Sequence, residues 1–154
     1  MRVRVVNQYV EAASEVLAKE SGEAVQRGGL RLEANPYTTD DVTAVVGISG
    51  DLAGSLYLSM SGATALRLVG RMLGQAISTL DELVQSGIAE LANVIAGSAG
   101  VALAEDGVTT TISPPLTLVG AGGRLSSVEI QRLVVTLTSA CGEVHVHVAL
   151  RGVA

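Results

Sequence analysis

The sequence predicts an α+β fold, with helices packed on one face of a largely antiparallel sheet. Three observations carry that expectation. Strand-like and helix-like segments come in blocks and do not alternate strictly. Two pairs of apolar runs, one pair joined by Ser-Gly-Asp and the other alternating throughout, read as hairpins. One stretch of small apolar residues, from Thr79 to about Ala104, keeps a helical period. The 154 residues are a normal size for one domain with one core, and we read 1–154 as that unit.

Along the chain, Val3 to Val6 is a candidate short strand, and Asn7 a candidate N-cap. Val10, Ala13 and Leu17 then give helical spacing from Gln8 to about Ser21, with Gly22 just beyond and Glu15–Lys19 as an outer i,i+4 pair. Gly28-Gly29 and Asn35-Pro36 mark turns. Val42–Ile48 and Gly54–Met60 are strands joined by Ser49-Gly50-Asp51, with Leu56 and Leu58 on one face and Ser55, Tyr57 and Ser59 on the other. A helix runs from Gly62 to Leu73, with Leu66, Val69 and Leu73 on its inner stripe, and stops at Gly74. The long helix opens with Thr79 and Glu82 as a capping box and ends at Asp106-Gly107. A β-branched strand over Thr109–Ser113 is broken by Pro114-Pro115, which places it at a sheet edge or bend. Leu116–Val119 resumes as strand, Gly120–Gly123 is a loose turn, and Val128–Thr138 with Val144–Leu150 form the clearest hairpin.

Composition removes several function classes. Apolar residues are 48% and charged residues 16% of the chain, which is globular. There is no Trp or Phe and only three Tyr, so the core is built from Val, Leu, Ile and Ala, and base stacking has little to work with. Net charge is −5 and no basic run exists, so a nucleic-acid footprint is not expected. The single cysteine, Cys141, cannot form an internal disulfide, which suits a reducing compartment. The start has no apolar run of signal-peptide length, and no stretch is expected to reach the ~18 apolar residues of a membrane span. These features lead us to expect a cytoplasmic protein that binds neither membrane nor nucleic acid.

The long helix holds the candidate site. At about 100° per residue, Val84, Ile88, Leu91, Ile95 and Ala102 fall on one arc, the core stripe. On the opposite side stands the row Ser86, Glu90, Asn93, Gly97: small, acid, amide, small. An ordinary outer face is studded with Lys–Glu pairs. Here no Lys or Arg occurs between Arg71 and Arg124, and Glu90 has only Ser86 and Val94 at its i±4 positions. Glycine inside a helix costs about 1 kcal/mol relative to alanine, so Gly87, Gly97 and Gly100 call for a compensating close approach by another backbone. Spacing alone fits a plainly solvated pair as well as a site.

Matched blocks of sequence point further. VNQYVEAASEVL at 6–17, DVTAVVGISGDLAGSLYLSM at 41–60 and SGIAELANVIAGSA at 86–99 resemble, in the same order, the CheX-type members of the CheC/CheX/FliY family of bacterial chemotaxis phosphatases. The last block carries the family's Ser/Asp-x-x-x-Glu-x-x-Asn signature through Ser86, Glu90 and Asn93, and Pro115 fills the place of the proline that follows it. The resemblance implies a CheC-like fold, one long helix bearing the Glu-x-x-Asn site. It also implies a phosphatase of the aspartyl phosphate on a CheY-like receiver, with Glu90 paired to a receiver lysine and Asn93 orienting the attacking water. Ser86 and Gly97 would flank the contact. The chain would need no cofactor of its own, Mg²⁺ being held by the receiver. Only one Glu-x-x-Asn copy is present, since Ser14 follows Glu11 and Ala18 follows Glu15. A single copy matches the CheX type, for which the resemblance implies a homodimer joined partly through sheet edges. The alternative is a CheX-fold module that binds receivers or flagellar motor proteins without catalysis.

Three other features are weighed beside this one. His145 and His147 lie two apart on one strand face with Glu143 alongside, a possible zinc chelate whose bland reading is an exposed strand face. GAGG at 120–123 opens no helix, so it is not read as a dinucleotide loop. No Ser/His/Asp order can be assembled.

Overall fold

The computed structural model describes residues 3–125 and 131–152. The elements are α1 (Val3–Ser21), β1 (Gln26–Glu33), β2 (Tyr37–Thr38), β3 (Val42–Gly50), β4 (Leu52–Met60), α2 (Gly62–Leu73), α3 (Glu82–Glu105), β5 (Thr110–Ile112), β6 (Leu116–Val119), β7 (Arg124–Leu125), β8 (Arg132–Ser139) and β9 (Gly142–Gly152). A seven-stranded sheet runs β1-β8-β9-β4-β3-β5, with β6 also pairing β3, and every pairing is antiparallel. The three helices cover one face, so the α+β expectation holds.

Alternation explains how the core is divided. Val42, Ala44, Val46 and Ile48 of β3, Leu56, Leu58 and Met60 of β4, and Val144, Val146 and Val148 of β9 point toward the helices and join one apolar cluster. Register places Ala44 opposite Leu58 and Leu58 opposite Val146, so these rows are continuous across three strands. The other face of the sheet is also covered in part. A two-stranded ribbon, β2 with β7, lies there and brings Tyr37 against Tyr57 and His147. Hence Tyr57 and Ser59, read from sequence only as the outer face, are buried too. The GAGG turn is tied down by Thr39, whose hydroxyl donates to Gly120 O and accepts from Gly123 N.

Several boundaries differ from expectation, each for a physical reason. Val3–Val6 is helix, because Val5 and Val6 continue the buried stripe of Tyr9, Val10, Ala13 and Leu17, and packing overrides the β-branched preference. Gly28-Gly29 is not a turn but lies inside β1, where the register slips between Arg27 and Leu30 as a bulge. In α2 the inner stripe is Thr64, Ala65, Leu68 and Val69; Leu66 is half-buried and Leu73 exposed. The β3–β4 and β8–β9 hairpins form as expected, although positions 128–130 of the latter lie outside the described residues. At the β8–β9 turn Gly142 has φ 130°, and a Cβ there would run into the Thr64 hydroxyl, so only glycine fits.

Two arginines of α2 act as struts. Arg71 donates to Ser21 O, satisfying the last carbonyl of α1, and Arg67 donates to Cys141 O in the β8–β9 turn. Cys141 is a buried free thiol.

Candidate functional site

The site is built on α3, and α3 is fixed at both ends. The Asp81 carboxylate accepts from Leu83 N and Val84 N, so Asp81 is the N-cap, and not Thr79 as the capping-box pattern implied. A carboxylate caps two free N–H groups and also sits favourably at the positive end of the helix dipole, an advantage Thr79 lacks. At the other end Asp106 is the C-cap and pairs with Arg4 of α1 at 2.9 Å.

Between these ends, Val84, Ile88, Leu91, Ala92, Ile95, Ala96, Ala99 and Leu103 are buried. The stripe ends on Leu103; Ala102 is only half-buried. By length and mean hydropathy α3 could cross a membrane. Part of that apolarity comes from its place in the core, between α1, α2 and the sheet, and part from exposed Leu83, Val94 and Val101.

Two of its glycines admit neighbours. A Cβ at Gly87 would stand 2.7 Å from Val69 Cγ2 on α2, and one at Gly100 would stand 3.0 Å from the Thr110 hydroxyl on β5. These are side-chain approaches, where the sequence suggested a backbone. Gly97 differs: a Cβ there meets nothing within 4 Å.

The expected row is displayed as predicted. Ser86 and Glu90 are exposed, while Asn93 and Gly97 are partly so. Neither Glu90 nor Asn93 is engaged in a hydrogen bond or ion pair with the rest of the described chain. Three residues apart on a helix, their Cβ atoms stand about 5–6 Å from each other. The arrangement therefore offers an anionic acceptor and a neutral amide, side by side, to a body outside the chain. An amide can donate and accept at once, which suits holding a water between two partners.

A second polar constellation sits on the far face of the sheet and was not foreseen. Arg132 and His147 are each 3% exposed. Arg132 donates from Nε to His147 Nδ1 at 3.2 Å, pairs with Glu33 at 2.8 Å, and bonds to the Asn35 carbonyl. Its guanidinium also lies 5.8 Å from the centre of the Tyr37 ring. Burial, reinforced by the Arg132 charge, pushes the His147 pKa down to about 3, so the ring stays neutral and can accept that hydrogen bond. The hydrogen bond from Arg31 holds the Glu33 carboxyl below its usual range, and burial raises the Tyr37 phenol.

The two histidines of the H-x-H strand are thus held apart in role. His145 contacts the Thr136 hydroxyl through Nδ1 and stands 3.9 Å from Asp40, while His147 is locked under Tyr37. Among the described residues no three potential metal ligands gather. The bland reading of an exposed face is overturned as well, because the ribbon covers His147.

Comparison with known proteins agrees with this fold. Residues 42–138, which include the whole of α3, match the family model described as chemotaxis phosphatase CheX. The chain is 31% identical over 128 residues to the CheY-P phosphatase CheX of Thermotoga maritima, covering 82% of this chain and 83% of that one. A crystal structure of chemotaxis protein CheX from Desulfovibrio desulfuricans superposes with TM-score 0.85 at 26% identity, over 98% of this chain and 100% of the other. The CheX of Borrelia burgdorferi, solved with CheY, BeF₃ and Mg²⁺, shares the fold at TM-score 0.85 and 24% identity, over 97% and 99% of the two chains. With the helix, its open Glu-x-x-Asn row and the antiparallel sheet in place, the chain belongs to the CheX family of chemotaxis phosphatases.

Proposed function

We propose that this chain accelerates hydrolysis of the aspartyl phosphate on a CheY-like response regulator, with Asn93 and Glu90 as its catalytic pair. The observation that carries the reading is the display of both side chains on the open side of α3, unpartnered among the described residues.

An aspartyl phosphate is an acyl phosphate. Its hydrolysis needs one water in line with the phosphorus; the P–O bond to the carboxyl breaks, the aspartate leaves as a carboxylate, and phosphate departs. Little covalent chemistry is asked of the protein, so positioning supplies most of the rate. Asn93 orients the water as a neutral amide, where a carboxylate would be repelled by the phosphoryl oxygens. Glu90 pairs with a basic group of the receiver, an interaction that gains strength when the interface excludes water. Ser86 and Gly97 keep the ridge low on either side, and the open space at Gly97 leaves room for the receiver's surface. Mg²⁺ held by the receiver's own site would supply charge neutralisation of the phosphoryl group. The substrate and the free thiol of Cys141 both fit the cytoplasm.

The active species is a homodimer, and β1 is the edge that supports it. That strand ends the sheet, and its Leu30 and Leu32 face the helix side without a helix above them.

The test is release of phosphate from a phosphorylated CheY-type receiver with and without the protein. Asn93→Ala is expected to lose about 100-fold or more of the acceleration while its melting temperature is unchanged. Binding of the receiver with no change in phosphoryl lifetime would refute the enzymatic reading.

A further inference from the structure

The open face of α3 is not uniformly polar. Leu83, Val94 and Val101 are 51%, 41% and 66% exposed. At about 100° per residue, all three fall within about 40° of Glu90, on the side away from Asn93. Their spacing, 11 and then 7 residues, returns each to the same flank. The ridge therefore has two lanes. Ser86, Asn93 and Gly97 form a small polar lane; Leu83, Val94 and Val101 form an apolar lane about 27 Å long; Glu90 stands between them.

We infer that the apolar lane docks the receiver, and that Leu83, Val94 and Val101 set affinity for it while Asn93 sets the chemical step. The inference rests on the reading of Glu90 and Asn93 given above. Continuity argues for one occupant: a body that reaches Asn93 over the low Gly97 step covers Val94 and Val101 at the same time. Charge argues for its nature. Among the described residues Glu90 has no cation partner, and α3 carries no basic residue at all, so the matching surface is apolar with a basic group at its middle. Exposed apolar side chains are ordinary singly, but a row of them covered by one partner contributes docking energy in proportion to the apolar area buried. None of the three belongs to the buried core cluster, and glutamine is a good helix former, so replacement is expected to leave α3 intact.

The experiment measures initial rates of phosphate release over a range of phosphorylated CheY-type receiver concentrations. It compares the native chain, Leu83→Gln/Val94→Gln/Val101→Gln together, Val101→Gln alone, and Asn93→Ala, each with its melting temperature and its mass by light scattering. The triple variant is expected to raise KM about tenfold or more with kcat within about twofold, and Val101→Gln to show a smaller rise in the same direction. Asn93→Ala is expected to lower kcat. If the triple variant keeps the native KM, or loses kcat alone, the lane does not dock the receiver. If instead its mass falls from two chains to one, the lane is a contact between copies and the inference is wrong. A native chain that accelerates nothing would overturn the phosphatase reading itself, a result separable from the other two because it appears before any variant is compared.

Discussion

The two polar constellations of this chain are opposites. On the far face of the sheet, Arg132 is buried and bonded to His147, Asn35 and Glu33. On α3, Glu90 is exposed and Asn93 partly exposed, and their side chains bond to nothing within the described chain. A buried charge must be answered from inside, or the fold loses several kcal/mol. An exposed, unanswered pair costs the fold little, so it is free to serve a partner. The difference teaches which polar residues to assign to architecture and which to function, and it does so without reference to any relative.

That contrast can be broken most forcefully at Arg132. Arg132→Met is expected to lower stability by about 3–5 kcal/mol, because it leaves His147 Nδ1 buried without its donor and removes the bonds to Glu33 and the Asn35 carbonyl. Chemical denaturation measures it. The folded fraction should retain the native kcat, since the sheet and its apolar core separate Arg132 from α3. A variant that stayed stable but lost kcat would mean that the two faces are coupled and that the division drawn here is wrong.

The next effect is pH-dependent and belongs to the same buried cluster. His147 has a folded pKa near 3 and an ordinary value of 6.5 when unfolded. The unfolded chain therefore binds the proton first. The stability that comes from keeping this ring neutral is complete above pH 6.5 and declines as pH falls from there toward 3, by up to about 1.4 kcal/mol per pH unit. The lowered Glu33 pKa adds a further loss in the same direction, beginning only below its ordinary value of 4.5. Between pH 6.5 and 5 the slope of unfolding free energy should thus reflect the histidine. His147→Gln, which can still accept from Arg132, should flatten it. A slope equal to that of the native chain would show that His147 is not the group responsible.

How these two regions appear in the sequence explains what could be read there. The α3 row follows from angle arithmetic on one continuous helix, so Ser86, Glu90, Asn93 and Gly97 were legible from spacing, as were the hairpins from their alternation and glycines. Leu83, Val94 and Val101 obey the same arithmetic, yet single exposed apolar residues are ordinary and draw no notice until their accessibility is known. The Arg132 cluster gathers Glu33, Asn35, Tyr37 and His147 from four elements and the loops between them. Its assembly depends on β1 pairing β8 and on the β2–β7 ribbon folding over the sheet, which no local pattern states. The helix ends failed for a related reason. Thr79-x-x-Glu82 matches a cap pattern, but the chain chose the carboxylate two residues on; Val3–Val6 has strand-forming residues, but the core needed Val5 and Val6 on a helix.

The smallest effect is the most discriminating, because fold and function should move in opposite directions. Gly87 and Gly100 are small for the chain's own sake: their Cβ positions are taken by Val69 and Thr110. Gly97 has no such neighbour, and an alanine there would find open space. Removing a mid-helix glycine should therefore stabilise α3 by about 1 kcal/mol, which thermal or chemical unfolding of Gly97→Ala would register. If the step at Gly97 is kept low for the receiver, the same substitution should weaken phosphatase activity by a few-fold, and Gly97→Leu, with a side chain that stands higher above α3, by more. A control at Ala104 separates crowding from general change: it lies two turns further along on the same flank, so Ala104→Leu should leave activity nearly native. Were Gly97→Ala both more stable and fully active, the glycine would have no role in docking, and the row would shrink to Ser86, Glu90 and Asn93.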